Sequence, residues 1–268
     1  MGETTLNVGP EASSSVKGSS RVKPAPKRGG IPVEFSYSPS GDGIDENLLI
    51  LLHGLGDTEI PFAKLGRQLR LPQTATLSLR APGRIPYLYE DAFQWYESFD
   101  QLGELLAHPN PTPALEILDR IIHYLIELET DNGCGWPLDR IHFFGFGQGG
   151  TVVAECALRL WKCQLGDAAH RDNLARGQIA SIVSVEGPLL EFPRSSLRVL
   201  AHHSISTAQS VLQTLRRFGW GAAEGMPRSK DEWAGIVEFW GRVLGSRMPE
   251  MEGLHPVISG GPTLPPQL

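Results

Sequence analysis

Residues 141–150, which read IHFFGFGQGG, constrain the fold more than any other stretch of this chain. An apolar run leads into closely spaced glycines and then into a helical pattern from Gln148, which predicts a strand, a tight turn and a helix. A strand followed by a GxSxG turn and a helix presents a nucleophilic serine above a sheet. The corresponding position here is Gly147, which has no side chain to attack with. The turn is therefore part of a catalytic site, part of a site that has lost its nucleophile, or a phosphate-binding loop.

Apolar runs alternate with helical patterns along the chain, which is typical of βαβ units. Continuous apolar character, as in LLILL and SIVSV, indicates strands that helices cover on both faces. The fold class we expect is α/β, with a mostly parallel central sheet and helices on both faces. We predict strands at 33–37, 48–52, 75–79, 140–144, 179–185 and 197–202, and helices at 112–130, from 148 to beyond 161, at 207–218 and at 229–244.

Both ends of the chain differ in composition from its middle. Residues 1–31 are rich in Ser, Pro, Gly and Lys and have too few apolar side chains to offset the entropy of ordering. We expect a disordered basic leader there, one domain at 32–246 and a Pro/Gly-rich tail at 247–268.

Charge and cysteine usage narrow the class of partner. A net charge of −6 gives no field that attracts a polyanion, which argues against nucleic acid. No apolar run approaches the ~18 residues of a membrane span. The three cysteines lack the spacing of a disulfide framework or a zinc site, so we expect no metal and no cofactor. These features favour the cytoplasm, or the nucleus, as its location.

A second glycine-rich loop follows the strand predicted at 48–52. The segment LLHGLGD, at 51–57, leaves this strand and turns. If the loop faces the 147 turn, its backbone N–H groups can form part of an oxyanion hole, with Gly54 allowing close approach to a carbonyl. His53, Gly54 and Leu55 are therefore pocket candidates. The alternative is a strand-ending turn in which His53 is simply hydrogen-bonded.

Four motifs together resemble the phospholipase/carboxylesterase family of α/β-hydrolases, the group that includes acyl-protein thioesterases. They are LLHGLGD, the RAP of 80–82, the AFQWYESFD of 92–100 and the GFGQGG of 145–150, where the family has GFSQGG. The resemblance covers about 48–244 and implies the α/β-hydrolase fold and an ester or thioester substrate.

The family's catalytic triad does not carry over to this sequence. Its nucleophile maps to Gly147, and its acid, in an HGxxD pattern, maps to Ser206 in the segment AHHSIS. Its histidine lies in a GxGH turn before the last helix, where this chain reads GMPRSKDEW and has no histidine. His202 and His203 fall near the expected strand end and are candidates for lining the pocket, or are surface histidines.

The backbone part of the site is retained. The N–H of Gln148, at the positive end of a helix, is expected to face the Leu55 region across the pocket. Such a pocket suits a carbonyl, a carboxylate or another small anion. Trp95 and Tyr96 could wall an apolar acyl site or could anchor the long connection 80–110, and the sequence leaves both roles open.

Three functions remain in competition. The first is a pseudohydrolase that binds a small acyl or anionic ligand, or a protein partner. The second is an active carboxylic ester or thioester hydrolase with non-standard catalytic residues. The third is a dinucleotide-binding protein, because Gly145, Gly147 and Gly150 satisfy GxGxxG. The third also needs an acid ~20 residues on, at the end of the next strand, whereas that strand is predicted to end near Glu186.

Overall fold

The structure is a computed structural model that describes residues 22–86, 91–165, 179–190 and 225–246, without the side chains of 161–165. Seven strands and four helices lie in these ranges. The strands are β1 (Phe35–Ser38), β2 (Asn47–Leu52), β3 (Thr74–Leu79), β4 (Gly83–Arg84), β5 (Phe93–Gln94), β6 (Ile141–Phe146) and β7 (Ser181–Val185). The helices are α1 (Glu59–Leu69), α2 (Thr112–Ile126), α3 (Gln148–Leu165) and α4 (Lys230–Val243). None of these helices has the length and apolar character needed to cross a membrane.

Five of the strands form one twisted sheet in the order β1-β3-β2-β6-β7. The pairs β3-β2, β2-β6 and β6-β7 are parallel, and only the edge strand β1 runs antiparallel. All six residues of β2 and of β3 are buried, as expected for strands covered on both faces. The carboxyl ends of β2, β6 and β7 therefore lie side by side at one edge of the sheet.

The two faces of the sheet carry separate hydrophobic cores. Alternate β2 residues Leu48, Ile50 and Leu52 pack with side chains from α2 and α3 on one face. Leu49 and Leu51 point the other way and pack with side chains from α1 and α4. This alternation follows from the two-residue period of a strand. The predicted α/β architecture, with helices on both faces, is confirmed.

Most predicted elements in the described ranges are present, with shifted ends. The strands predicted at 33–37, 48–52, 75–79, 140–144 and 179–185 correspond to β1, β2, β3, β6 and β7. The helices predicted at 112–130, from 148 to beyond 161 and at 229–244 correspond to α2, α3 and α4. The strand at 197–202, the helix at 207–218 and the tail 247–268 lie outside the described residues. The prediction missed α1 and the short pair β4-β5.

The end of the predicted leader is bound to the domain. The Lys23 N–H donates to Asp45 and the Lys23 ammonium donates to the Gly135 carbonyl. The Lys27 N–H donates to the Tyr124 hydroxyl at 2.9 Å. Ile31 is buried in the main core. Residues 23–31 therefore contact the domain, because lysines that the sequence presents as solvated find specific acceptors.

A buried polar cluster joins the amino ends of the strands to the end of α4. His142 Nδ1 accepts from the Ser181 hydroxyl at 2.7 Å, and His142 Nε2–H donates to Asn47 Oδ1 at 3.3 Å. Asn47 in turn bonds both the N–H and the carbonyl of Gly245, at 2.9 and 2.8 Å. Burial, with a smaller effect of the Arg140 charge, lowers the pKa of His142 to about 4. This imidazole is therefore neutral in the folded protein near pH 7.

The His142 pKa predicts acid destabilisation. Because the unfolded imidazole titrates near 6.5, its contribution is complete above that pH and is lost as pH falls from about 6.5 to about 4. At about 1.4 kcal/mol per pKa unit, the loss is about 3 kcal/mol. Urea unfolding at several pH values measures it, and His142→Gln should flatten the slope. An unchanged slope in that variant would contradict this account, and His108→Gln, at an exposed site, is the control.

Phe144 on β6 lies at the centre of the core between the sheet, α1 and α4. Its ring centroid lies within 6.4 Å of the ring centroids of Phe62, Trp233 and Trp240. Replacing it by alanine leaves a cavity between the sheet, α1 and α4. Phe144→Ala is expected to lower the free energy of unfolding by about 3 to 5 kcal/mol in urea titrations. Phe99→Ala, at a side chain that is 45% exposed, should change it by less than about 1 kcal/mol. Similar losses in both variants would be inconsistent with this packing.

Candidate functional site

The 147 turn has the geometry of an elbow. Gly147 follows β6 directly and has φ +52°, in the left-handed region. Its N–H donates to the Val185 carbonyl of the neighbouring strand at 2.9 Å, and its carbonyl accepts the Thr151 N–H at 2.9 Å. The chain therefore reverses sharply at residue 147 and enters α3 at Gln148. This turn places residue 147 at the carboxyl edge of the sheet.

The other glycines of the motif are required for packing. A Cβ on Gly145 would overlap the Gly149 carbonyl, and one on Gly149 would lie 2.5 Å from the Leu52 oxygen. A Cβ on Gly150 would lie 2.8 Å from the Ser184 hydroxyl. These contacts press the first turn of α3 against the ends of β2, β6 and β7. Two of the three GxGxxG glycines, Gly145 and Gly150, are thus accounted for by contacts within the protein.

Gly147 differs from its neighbours because it has room. A Cβ there would meet, among the described residues, only the Gly54 Cα, at 3.7 Å. Gly54 belongs to the loop after β2, so the structure brings together the two loops that the sequence predicted to face each other. Leu55 follows it and is 41% exposed. The N–H of Gln148 opens α3 and has no acceptor within the helix.

His53 is a buried positioning residue. Its Nε2 accepts the Ala81 N–H at 2.9 Å, which places the ring proton on Nδ1, and Nδ1–H donates to the Gly54 carbonyl at 2.7 Å. The ring is completely buried, and this burial lowers its pKa despite the nearby Asp57 and Glu59 charges. His53 is therefore a neutral bridge between the loop after β2 and the RAP segment, and both ring nitrogens are occupied.

Gln148 contributes a side chain as well as an N–H. Its Oε1 accepts the Trp95 N–H at 2.8 Å, while its Nε2 donates to the Tyr96 carbonyl at 2.9 Å and to the Ser98 hydroxyl at 2.8 Å. These bonds join the first residue of α3 to the connection that follows β3, about fifty residues earlier in the chain. The Gln148 side chain therefore holds this connection beside the elbow.

Trp95 and Tyr96 are both buried against the sheet. The Trp95 ring N–H donates to the His53 carbonyl at 2.9 Å, and the ring lies 5.6 Å from the His53 imidazole. Trp95 is only 3% exposed. Of the two roles that the sequence left open for these aromatics, anchoring of the long connection is the one their contacts support.

Arg80 of the RAP segment forms a third polar contact near the site, between the end of β3 and the start of α1. Its guanidinium forms a two-bond ion pair with Glu59 at the start of α1, with distances of 2.6 and 2.8 Å. The guanidinium also lies 4.9 Å from the centre of the Phe93 ring. The sequence analysis missed Glu59, which is acidic yet buried. The sequence feature that could have indicated its burial is its position one helical turn before Phe62, on the same face of α1.

The remaining triad positions divide between described and undescribed residues. Ser206, His202 and His203 lie outside the described residues. The segment GMPRSKDEW is described from Gly225, and Ser229 begins α4 with a capping box in which Glu232 takes part. The Gly225 N–H donates to the Glu186 carboxylate. The turn where the resemblance expects a histidine is thus tied to the residue after β7.

Comparison with known proteins places this geometry in a family. The model of the phospholipase/carboxylesterase family matches residues 39–168. An uncharacterized hydrolase of Mycosarcoma maydis is 36% identical over 231 residues, which cover 82% of this chain and 85% of the relative. The chain belongs to the phospholipase/carboxylesterase family. The resemblance read from the four motifs is confirmed.

Two further comparisons cover different lengths. An uncharacterized hydrolase of Schizosaccharomyces pombe is 36% identical over 126 residues, which span 45% of this chain and 50% of that relative. The crystal structure of esterase PE8 matches with a TM-score of 0.55 and 18% identity, over 79% of this chain and 99% of the esterase. The latter likeness shows the α/β-hydrolase fold alone.

The Gln148 clamp can be tested by truncation. Gln148→Ala removes three hydrogen bonds and leaves the buried Trp95 N–H without its acceptor. We expect a loss of about 2 to 4 kcal/mol in the free energy of unfolding and faster hydrogen exchange at the Trp95 amide. Gln68→Ala, on the exposed face of α1, is the matched control and should change neither quantity. Unaltered exchange at Trp95 in Gln148→Ala would rule the clamp out.

Proposed function

We propose that this member of the phospholipase/carboxylesterase family is a pseudohydrolase, which binds a small ligand at the elbow without cleaving it. The observation that carries the proposal is Gly147. It has the elbow conformation and free space beside Gly54, but no hydroxyl, thiol or carboxylate. A covalent acyl intermediate at this position has no atom to form on.

The backbone supports binding. Gln148 opens an eighteen-residue helix, so its N–H lies at the positive end of the helix dipole. The Gly54 Cα lies 3.7 Å from the Cβ position of Gly147, and His53 and Gln148 fix both loops through bonds of 2.7 to 2.9 Å. Donors held in this way attract a carbonyl oxygen. An oxyanion hole alone retains only ~10³ to 10⁴-fold catalysis over water.

The ligand class follows from these donors. Backbone N–H groups donate to the carbonyl of a small acyl group or to a small anion, and the same surface could receive such a group from a protein partner. Buried Cys134 and Cys156 are free thiols, which fits the reducing cytoplasm or nucleus. The cytoplasmic or nuclear location is part of this proposal.

A serine-directed fluorophosphonate probe and p-nitrophenyl butyrate test the proposal on the purified full chain. We expect no covalent labelling by intact-mass measurement and no ester turnover above buffer. An active relative with the elbow serine, assayed alongside, controls for reagent quality. Stoichiometric labelling with turnover would instead establish the alternative, an active hydrolase with non-standard residues.

Gly147→Ser asks whether the nucleophile is all that is missing. Among the described residues the side chain fits, because a Cβ meets only Gly54 Cα there, at 3.7 Å, and the left-handed backbone costs about 1 to 2 kcal/mol. We expect the variant to fold and to remain without measurable turnover, since no base has been added. Turnover rising more than about tenfold above the wild type would show that an acid–base pair persists.

A further inference from the structure

Glu186 lies directly beside the proposed site. Val185, the last residue of β7, pairs with Phe146, the last residue of β6. The Val185 carbonyl accepts the Gly147 N–H at 2.9 Å. Glu186 is therefore the residue of the neighbouring strand that comes level with the elbow, at the roughly 4.8 Å spacing of adjacent strands. Neither the family motifs nor the triad positions include it.

The backbone at Glu186 is in an unusual state. Its φ of +55° lies in the left-handed region, which residues other than glycine, asparagine and aspartate rarely adopt. Gly187 follows, and a Cβ there would overlap the backbone of Gly150 and Thr151 in the first turn of α3. The chain after β7 is thus pressed against the donors of the site. Strained residues of this kind cluster at functional sites.

The side chain adds a negative charge at this edge. Glu186 is exposed, and its carboxylate accepts the Gly225 N–H from the turn before α4. Two described arginines are considered as counter-charges to Glu186. Arg80 is committed to its ion pair with Glu59, and the Arg228 Nη2 atom lies 3.8 Å from the Cβ position of Gly225. Arg228 therefore lies beside the Gly225 turn to which the Glu186 carboxylate bonds, and Asp57 is a further carboxylate in the loop after β2.

We propose that Glu186 is a specificity residue, which makes the elbow site select uncharged acyl carbonyls, as in amides, esters and thioesters, over free carboxylates and other anions. The proposal rests on the proposed function. The backbone donors alone would favour an anion, since the positive end of α3 attracts one. A carboxylate on the residue that comes level with the elbow repels a negatively charged ligand there and leaves a neutral carbonyl almost unaffected. The natural ligand is therefore a conjugated acyl group rather than a free acid.

Hexanamide and hexanoate are matched probes, because they share a chain and differ in charge. Calorimetric titration of the full chain at pH 7.5 and low salt gives both dissociation constants. We expect hexanamide to bind at least about tenfold more tightly than hexanoate. Glu186→Gln should tighten hexanoate about tenfold and change hexanamide by less than about twofold. The glutamine oxygen can still accept the Gly225 N–H, which preserves the fold.

Asp139→Asn is the charge-matched control. Asp139 is exposed in the short 3-10 turn before β6, about 20 Å away along that strand, and its removal should change neither dissociation constant. The wild type provides a second measurement that needs no variant. Raising the salt from 20 to 500 mM should tighten hexanoate binding and leave hexanamide unchanged, because salt screens the repulsion.

The outcomes separate this inference from the proposed function. Equal binding of the two probes, or a Glu186→Gln ratio identical to that of the wild type, overturns the specificity role and leaves the pseudohydrolase proposal standing. An absence of binding by both probes overturns the acyl-binding proposal and the specificity role together. Labelling by the fluorophosphonate probe overturns the pseudohydrolase proposal but does not change the ratio of the two dissociation constants, on which the specificity role depends.

Discussion

Close backbone approach at three glycines is the constraint on which the rest of the site depends. No side chain fits at Gly145, Gly149 or Gly150, because the first turn of α3 lies directly against the carbonyl groups that end β2 and the elbow itself. This contact sets the position of Gln148 and the direction of the α3 dipole. It also brings Gly54 to within 3.7 Å of the Cβ position of Gly147.

Three polar bridges then hold the loops around that contact. His53 joins the loop after β2 to the RAP segment, Gln148 joins α3 to the long connection, and Arg80 joins the end of β3 to Glu59. Each bridge satisfies groups that would be costly to bury alone. The described loops are thus held in fixed positions around the elbow, and the residue at the elbow is glycine.

Sequence reasoning found the features that a local pattern encodes. Apolar runs located the sheet strands, and GFGQGG with HGLGD located the two facing loops. It missed α1 because two of the four buried positions on that helix are Glu59 and Gly66, which leaves Phe62 and Ala63 as its only fully buried apolar side chains. For Gln148 it predicted a role for the backbone N–H alone, and it placed Glu186 only at the end of a strand. The hydrogen-bond partners of these two side chains lie 52 and 39 residues away in the sequence. Contacts at such separations have no local signature in a single sequence.

The most direct test of the central claim is an amide-resolved NMR titration of the labelled full chain with hexanamide. If the elbow binds an acyl carbonyl through its backbone, the amide signals of Gln148 and Leu55 shift first, saturate together and return when the ligand is dialysed away. Signals of Asn47 and His142, at the opposite edge of the sheet, stay in place. Shifts that begin at that edge, or no change at Gln148 at saturating ligand, would contradict the account.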